Sequence, residues 1–300
     1  MNKQSEQHFA FVAILGASNV GKSTLMNKII GDKVSIVSPK VQTTRSRIRG
    51  IFVEGNTQLV LVDTPGIFKP SRRLDRAMVA SAWSEADDAD KLVVLMDGAK
   101  GLDQNTEKII QTLTQNKQKA ILVVNKIDLI QPDKLMPLAD KFGKMDVWQE
   151  IFYVSAKTGK NIKELVNYLV QIAPKSPWLF PETDMTDMPD RLFAAEITRE
   201  KLFMNLQDEL PYHLAVETTS FKETNNSIRI EQDIIVERVA HRMIVLGRGG
   251  SMIKKIGEAS RKELTRQLGK KVNLFLFVKV KENWGEDPNQ YTPWGLDFNA

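Results

Sequence analysis

The 300-residue chain contains no cysteine. A disulfide framework, a thiolate metal site and a cysteine nucleophile are therefore excluded, and the composition suits a reducing compartment. It has only three histidines, His8, His213 and His241. They lie far apart and form no H-E-x-x-H, which argues against a His-based zinc site. Long hydrophobic runs are missing too: Leu92 to Met96 and Ala120 to Val124 fall far short of the ~18 apolar residues a membrane helix needs. The first residues, MNKQSEQHFAFVAILG, lack the basic, apolar, small-residue order of a signal peptide. There is no internal repeat and no low-complexity tract.

What is present is ordinary globular composition, 42% hydrophobic and 26% charged, over a length that suits about two domains. Net charge is +5, but the total conceals an asymmetry. From Arg238 to Lys281 there are 12 Lys and Arg against two acids, Glu258 and Glu263. The rest of the stretch from Glu182 to Ala300 has 5 basic and 17 acidic residues. A basic block inside an acidic region can attract phosphates, although a solvated face is the commoner meaning of such a run.

Up to about residue 172, short apolar strands alternate with helical patterns. Phe11 to Leu15, Leu59 to Val62, Leu92 to Met96, Ala120 to Val124 and Ile151 to Val154 each lead toward a helix, which predicts an α/β domain with a mostly parallel sheet covered on both faces. Arg47 to Val53 and Gln58 to Val62 flank Glu54-Gly55-Asn56-Thr57 and predict an antiparallel hairpin at one edge. Residues 173–190 carry four prolines and read as a linker. Beyond it the pattern predicts a smaller α+β domain in the order helix, strand, strand, helix, strand, ending near Val280. A turn-rich acidic tail with Trp284, Tyr291 and Trp294 follows. The expected boundaries are 1–172, 173–190, 191–281 and 282–300.

Gly16-Ala17-Ser18-Asn19-Val20-Gly21-Lys22-Ser23 fits G-x-x-x-x-G-K-S/T between a strand and a helix. Glycines there let backbone N–H groups wrap phosphate oxygens, and the helix N-terminus adds positive potential. Lys22 reaches the β- and γ-phosphates, and Ser23, followed by Thr24, offers a hydroxyl to Mg²⁺. Asp63-Thr64-Pro65-Gly66 follows a strand. Alone it is a plain turn. Beside a phosphate loop, Asp63 can hold the metal through water and the Gly66 N–H can sense a γ-phosphate. Asn125-Lys126-Ile127-Asp128 follows the next predicted strand but one. The Asp128 carboxylate can accept from guanine N1 and its 2-amino group, a donor pair adenine lacks. Asn125 is expected to read the other base edge and the Lys126 stem to cover the base face. Ser155-Ala156-Lys157 offers a backbone N–H to the guanine O6.

The order and spacing of these elements resemble the translation-factor-type GTPases across about residues 8 to 172. The resemblance implies a six-stranded sheet, binding of GTP/GDP and Mg²⁺, and hydrolysis of GTP to GDP and phosphate. Ser38-Pro39-Lys40-Val41-Gln42-Thr43-Thr44-Arg45 is then switch I, in which one threonine ligates Mg²⁺ when GTP is bound. Thr44 is preferred, with Thr43 the alternative. The implied metal ligands are Ser23, Thr44 and Asp63, and the implied catalytic set is Lys22, Asn19, Thr44 and Gly66. Ras-like proteins carry Gln directly after D-x-x-G, where it orients the attacking water. Ile67 stands there instead, so the chain resembles the branch with a hydrophobic replacement and a slow intrinsic rate. In that branch an Asn at the position of Asn19 helps bind K⁺. A loop-bonding Asn is the plainer alternative.

In the second domain, Gly247-Arg248-Gly249-Gly250 forms a G-x-x-G turn before a helix whose Ile253, Ile256 and Leu264 share a face. Lys254, Lys255, Arg261, Lys262 and Arg266 lie elsewhere on it. This resembles a type II KH domain, whose G-x-x-G loop clamps about four nucleotides of a single strand. The RNA-contacting residues so implied are Gly247, Arg248, Gly249, Gly250, Ile253, Lys254, Lys255 and Arg261. A basic amphipathic helix with a glycine-rich start is the alternative.

A GTPase domain followed by a type II KH domain is similar, over nearly the whole chain, to a family of bacterial ribosome-assembly GTPases. The run Asp190-Arg191-Leu192-Phe193-Ala194-Ala195-Glu196-Ile197-Thr198-Arg199-Glu200-Lys201 is similar to it as well. The resemblance implies binding of RNA near the 3′ end of 16S rRNA and help with 16S rRNA processing and 30S subunit biogenesis. It also implies a link to cell-cycle control, a monomeric state, a cytoplasmic location and peripheral contact with the inner face of the membrane.

Overall fold

The structure is a computed structural model that describes residues 6–300. The chain divides into two compact units. Of the described residues, the first comprises 6–35, 44–187 and 295–300, and the second 36–43 and 188–294.

The first unit is built on six strands: β1 (His8–Leu15), β2 (Ile48–Glu54), β3 (Thr57–Asp63), β4 (Lys91–Asp97), β5 (Ala120–Asn125) and β6 (Trp148–Tyr153). They lie in the order β2-β3-β1-β4-β5-β6. Every pair is parallel except β2 with β3, the expected hairpin. β3 and β5 are buried along their whole length, as strands covered on both faces must be. The helices are α1 (Lys22–Ile30), α2 (Arg73–Asp88), α3 (Gln104–Gln115), α4 (Pro132–Gly143) and α5 (Ile162–Gln171). One face of the sheet buries Leu15, Val94, Leu122 and Val124 with Ala82, Ile109, Leu113 and Phe142. β1 has β3 on one side and β4 on the other, so the chain leaves it in both directions. The crevice beyond its carboxyl end is where α/β sheets bind ligands.

The proline-rich stretch is ordered along this unit. Phe9 N donates to Pro174 O at 3.1 Å, and Ile51 N to Met185 O at 2.9 Å. The Gln58 side chain accepts from Leu179 N and Phe180 N and donates to Phe180 O. Thr186 bridges to Gly50 on the edge strand β2. A proline-rich segment cannot form a helix, but here it covers a sheet edge that would otherwise be open.

The second unit runs α6 (Asp190–Asn205), β7 (Leu214–Glu223), β8 (Ser227–Val236), α7 (Val239–Leu246), α8 (Ser251–Leu268) and β9 (Lys271–Val280). Its sheet order is β7-β8-β9, the first pair antiparallel and the second parallel. Helix α7 is not in the predicted order, because its Met243-Ile244-Val245-Leu246 run has a strand-like composition. In the structure Val245 packs inward and Val239, Met243 and Ile244 are exposed. The core is Leu202, Leu206, Leu214, Val216, Ile234, Val236 and Ile256. A second cluster joins Phe193, Ile197, Ile230 and Leu264 to Ile36. The tail is part of this unit up to Trp294: Trp284 Nε1 donates to His213 O at 3.2 Å, and Tyr291 Oη to Gly285 O at 2.6 Å.

Candidate functional site

β1 ends at Leu15, six loop residues follow, and α1 starts at Lys22. Gly21 sits at φ 104°, and a Cβ there would come within 2.4 Å of Asn125 Nδ2, so only glycine fits. Helix α1 has no side-chain cap and no acid in its first turn. Its unsatisfied first-turn N–H groups therefore face the loop and favour an anion. Lys22 is buried and folds back over the loop, donating to Gly16 O at 3.2 Å and Ala17 O at 3.1 Å. Burial pulls its ammonium down to about 8, against the opposing pull of the Asp63 charge. The buried Ser18 Oγ has no hydrogen-bond partner among the described residues.

Beyond the loop, hydroxyls converge on Asp63. Ser23 Oγ donates to its Oδ2 at 2.6 Å, Ser35 Oγ at 2.9 Å and Thr44 Oγ1 at 3.3 Å, and Ser23 Oγ lies 3.1 Å from Thr44 Oγ1. The Asp63 carboxyl is fully buried, and its Oδ1 lacks a partner among the described residues. Burial raises its pKa, opposed by the Lys22 charge and by the bonds from Ser23, Ser35 and Thr44. Hard oxygen donors with an orphaned carboxylate oxygen fit Mg²⁺, which usually keeps waters and takes its remaining ligands from phosphates. Magnesium held there would neutralise charge on the β- and γ-phosphates. Ser23 and Thr44 would hold it directly and Asp63 from behind. Thr43 is turned elsewhere, its hydroxyl bonded to Ser38 Oγ and Lys40 O. Its carbonyl accepts from the buried Arg199, 2.6 Å from Nη2, within the second unit. Of the two candidate threonines, Thr44 is therefore the one beside Ser23 and Asp63.

Asp63-Thr64-Pro65-Gly66 is pinned under the loop by Thr64 Oγ1 to Ile14 O at 2.8 Å and by Ile67 N to Gly16 O at 3.0 Å. Gly66 lies against Ser18, where a Cβ would meet Ser18 Oγ at 2.6 Å. The Ile67 side chain is buried in the core with Leu15, Ala82 and Ala86.

On the base side, Lys126 Nζ donates to Asn19 O and to Asp97 Oδ2, both at 2.7 Å. Asp128 is exposed, with Oδ1 accepting from Ser155 Oγ at 2.6 Å. Asn125, the expected reader of a base edge, is held within the fold as well. Its Nδ2 donates to Val20 O at 2.8 Å and its Oδ1 accepts from Ala156 N at 2.9 Å. It ties the phosphate loop to the Ser155-Ala156-Lys157 loop, because β5 ends between the two. Ser155 is fully buried and Lys157 exposed.

In the second unit Gly247, Gly249 and Gly250 have φ of 72°, 58° and 78°, and the turn leads directly into α8. Arg248, Lys254, Lys255 and Arg261 are exposed. Beside them runs a groove of about 310 Å³ lined by Ile253, Lys254, Gly257, Glu258, Arg261, Leu274 and Leu276. Apolar walls with cations at the rim suit unstacked bases with the backbone outside.

Residues 11–126 match the family model described as 50S ribosome-binding GTPase, and residues 209–285 match the KH domain model. The chain is 55% identical over 289 residues to GTPase Era of Afipia carboxidovorans, covering 96% of this chain and 94% of that one. It is 48% identical to GTPase Era of Caulobacter vibrioides, covering 99% and 98%. The chain belongs to the Era GTPase family. A solved Era structure in complex with MgGDPNP and nucleotides 1506–1542 of 16S ribosomal RNA superposes with a TM-score of 0.91 at 38% identity, covering 96% of this chain and 99% of that one. A single-residue variant of Aquifex aeolicus Era bound to GDP.AlF4- matches with the same score, identity and coverage.

As an Era GTPase the chain hydrolyses GTP and carries an RNA-binding KH domain. Several residues of its sites escaped the sequence. Asp97 ends β4 as Asp63 ends β3, and that parallel was the signal available. Ser35 has no motif. Gly257, Leu274 and Leu276 line the groove only because α8 and β9 pack side by side, and spacing alone does not show that.

Proposed function

We propose that this chain is a slow GTP-driven switch that binds the 3′ region of 16S rRNA through its KH groove during assembly of the small ribosomal subunit. The observation that carries the reading is one chain holding both an Asp63–Ser23–Thr44 oxygen cluster below a phosphate loop and a G-x-x-G turn beside an apolar, cation-rimmed groove. The solved Era complex with nucleotides 1506–1542 of 16S rRNA supplies the RNA target. In this reading Lys22 and the loop N–H groups would bind the triphosphate, Thr44 and Ser23 would hold the metal, and the Gly66 N–H would sense the γ-phosphate. With Ile67 in the core, no side chain follows D-x-x-G to orient water, which supports a low intrinsic rate. Asn19, which takes φ 63° in the loop, is in this reading the residue that helps hold K⁺, a cation that would do the work of an arginine finger. Hydrolysis faster in K⁺ than in Na⁺, with the difference lost in Asn19→Ala, is the expected result. Among the described residues no helix is long and apolar enough to cross a membrane. The reading is of a cytoplasmic monomer with at most peripheral membrane contact. Crosslinking in cells and sequencing of the bound RNA tests the whole proposal: reads concentrated at the 16S 3′ end support it, and reads spread over unrelated RNAs refute it.

A further inference from the structure

Along β9 side chains alternate. Leu274 and Leu276 line the groove, so Phe275 and Phe277 point to the other face of the sheet. They are 41% and 50% exposed, unusual for two aromatic rings on one strand. β9 is an edge strand, paired only with β8 among the described residues. The groove and the two rings are therefore separated by the width of a single strand whose outer edge is open. Residues two apart on a strand stand roughly 6.6 Å apart, about twice the ~3.4 Å stacking rise of bases. That spacing accepts a base on each ring or one between them.

Two ion pairs lie beside the rings on this face, which also carries the exposed Glu217, Lys222 and Lys271. Arg229 pairs with Glu231, and its guanidinium carbon lies 4.4 Å from the Phe275 ring centroid. Lys279 pairs with Asp233. The registers place Glu231 opposite Phe275 and Asp233 opposite Phe277. The acids beneath the rings are thus neutralised, and the planar Arg229 both holds one ring and offers a stacking plane of its own. A surface of this kind attracts weakly through charge and strongly through stacking, in contrast to the cation-rimmed groove.

We propose that Phe275 and Phe277 form a base-stacking platform for single-stranded RNA that leaves the groove and passes over the free edge of β9. The occupant is argued from continuity: the same strand forms one wall of the groove and carries the platform. The proposal rests on the KH-groove reading. It extends the RNA site beyond the roughly four nucleotides a G-x-x-G groove holds.

The test uses the full chain with four- and ten-residue single-stranded oligoribonucleotides, the longer carrying one 2-aminopurine at successive positions. The double variant Phe275→Ala/Phe277→Ala should bind the four-mer as the parent does and the ten-mer about tenfold or more weakly, since each stacked base is worth roughly five- to hundredfold. The slope of log affinity against log salt should not change. 2-Aminopurine fluorescence should be quenched at one or two positions outside the groove in the parent but not in the variant, and Phe→Tyr should restore it. A ten-mer bound equally by parent and double variant overturns the platform. If Gly250→Asp binds both oligomers normally, the groove reading itself has failed, which is a different outcome. Normal RNA binding with lost self-association in sedimentation, or with lost binding to vesicles containing anionic lipid, would assign the rings to a second copy or to a membrane and refute the proposal.

Discussion

The two binding regions handle polyanions in opposite ways. In the nucleotide pocket Lys22, Asp63, Asn125 and Ser155 are buried and fixed by bonds to other parts of the fold. Ser18 Oγ and Asp63 Oδ1 are left as unsatisfied groups that a ligand can meet. Groups already held in place by the fold need little reorganisation when a ligand arrives. In the RNA groove the cations are exposed, and the walls are aliphatic. Exposed cations of this kind favour phosphates through displaced counterions, a contribution that does not depend on sequence. A change in the pocket should therefore alter what is bound, while a change around the groove should alter how tightly every RNA is bound.

Gly250→Asp is the largest expected break in this contrast. Gly250 is at φ 78°, and the nearest atom to an added Cβ is Ile253 Cγ2 at 4.0 Å. The substitution brings backbone strain and a negative charge to the point where the RNA backbone must approach. RNA binding in a gel-shift titration should be lost. The nucleotide site is made from other residues around a core of its own, so GTP turnover should continue at the parental rate. A parallel loss of both would show that the two regions are not separable.

Two pocket changes sharpen the same contrast at a scale of a few kcal/mol. Asp128→Asn keeps an oxygen for the Ser155 hydroxyl but removes an acceptor for guanine N1–H and the 2-amino group. GTP affinity should fall about a hundredfold, roughly 3 kcal/mol, with a shift of preference toward xanthosine nucleotides. Competition titration with GTP and XTP reads this, and unchanged preference removes Asp128 from the base pocket. Ile67→Ala should do the reverse. It leaves hydrolysis by the folded protein almost unchanged but costs about 2–5 kcal/mol of stability, since the side chain is 5% exposed in the sheet core. A large fall in kcat with unchanged denaturant midpoint would place Ile67 over the reacting phosphate after all.

The difference between the regions also explains what was legible in the sequence. The phosphate loop demands glycine, lysine and hydroxyl at fixed spacing, so Gly16 to Ser23 announces itself. Asp63 and Asp128 stand at or just beyond strand ends, where the hydrophobic period already points. The bracing role of Asn125 was not legible, because it depends on Val20 and Ala156 lying on either side of β5. Asp97 and Ser35 were missed for the same reason: each acts through a partner distant in sequence. In the second unit the charge block and the glycines were visible. Helix α7 was hidden by β-branched residues whose local preference is overridden by packing, and the groove wall needed the register of β9.

Lys22 allows a test of pocket burial by pH. In the protein without nucleotide its pKa is lowered to about 8, with burial as the main cause. A bound triphosphate favours the ammonium and must raise that value. GTP affinity should then be flat below pH 7 and decline as pH rises through 8, by at most about tenfold per unit. Calorimetry near pH 8 in buffers of different ionisation enthalpy should show proton uptake on binding. Lys22→Arg, which stays charged, should show neither effect. Affinity that is level from pH 7 to 9 would mean that the ammonium is already fully charged in the free pocket.

The smallest effect falls on the exposed side. Lys254 and Lys255 sit in the first turns of α8, after the Gly250 turn, and both are exposed. Exposed ammonium groups act as point charges, so their removal should change salt dependence before any sequence preference. Each lost phosphate contact should lower the slope of log affinity against log salt by about 0.7 for a single strand, and the loss should be the same for every oligomer tested. Fluorescence anisotropy of Lys254→Gln and Lys255→Gln between about 50 and 200 mM salt measures it. Groove and pocket would then differ in kind, one titrated by salt and the other by base chemistry. A lysine variant that discriminates among RNA sequences at constant slope would instead mean that the side chain reads a base edge, and the contrast between the two regions would be narrower than their burial implies.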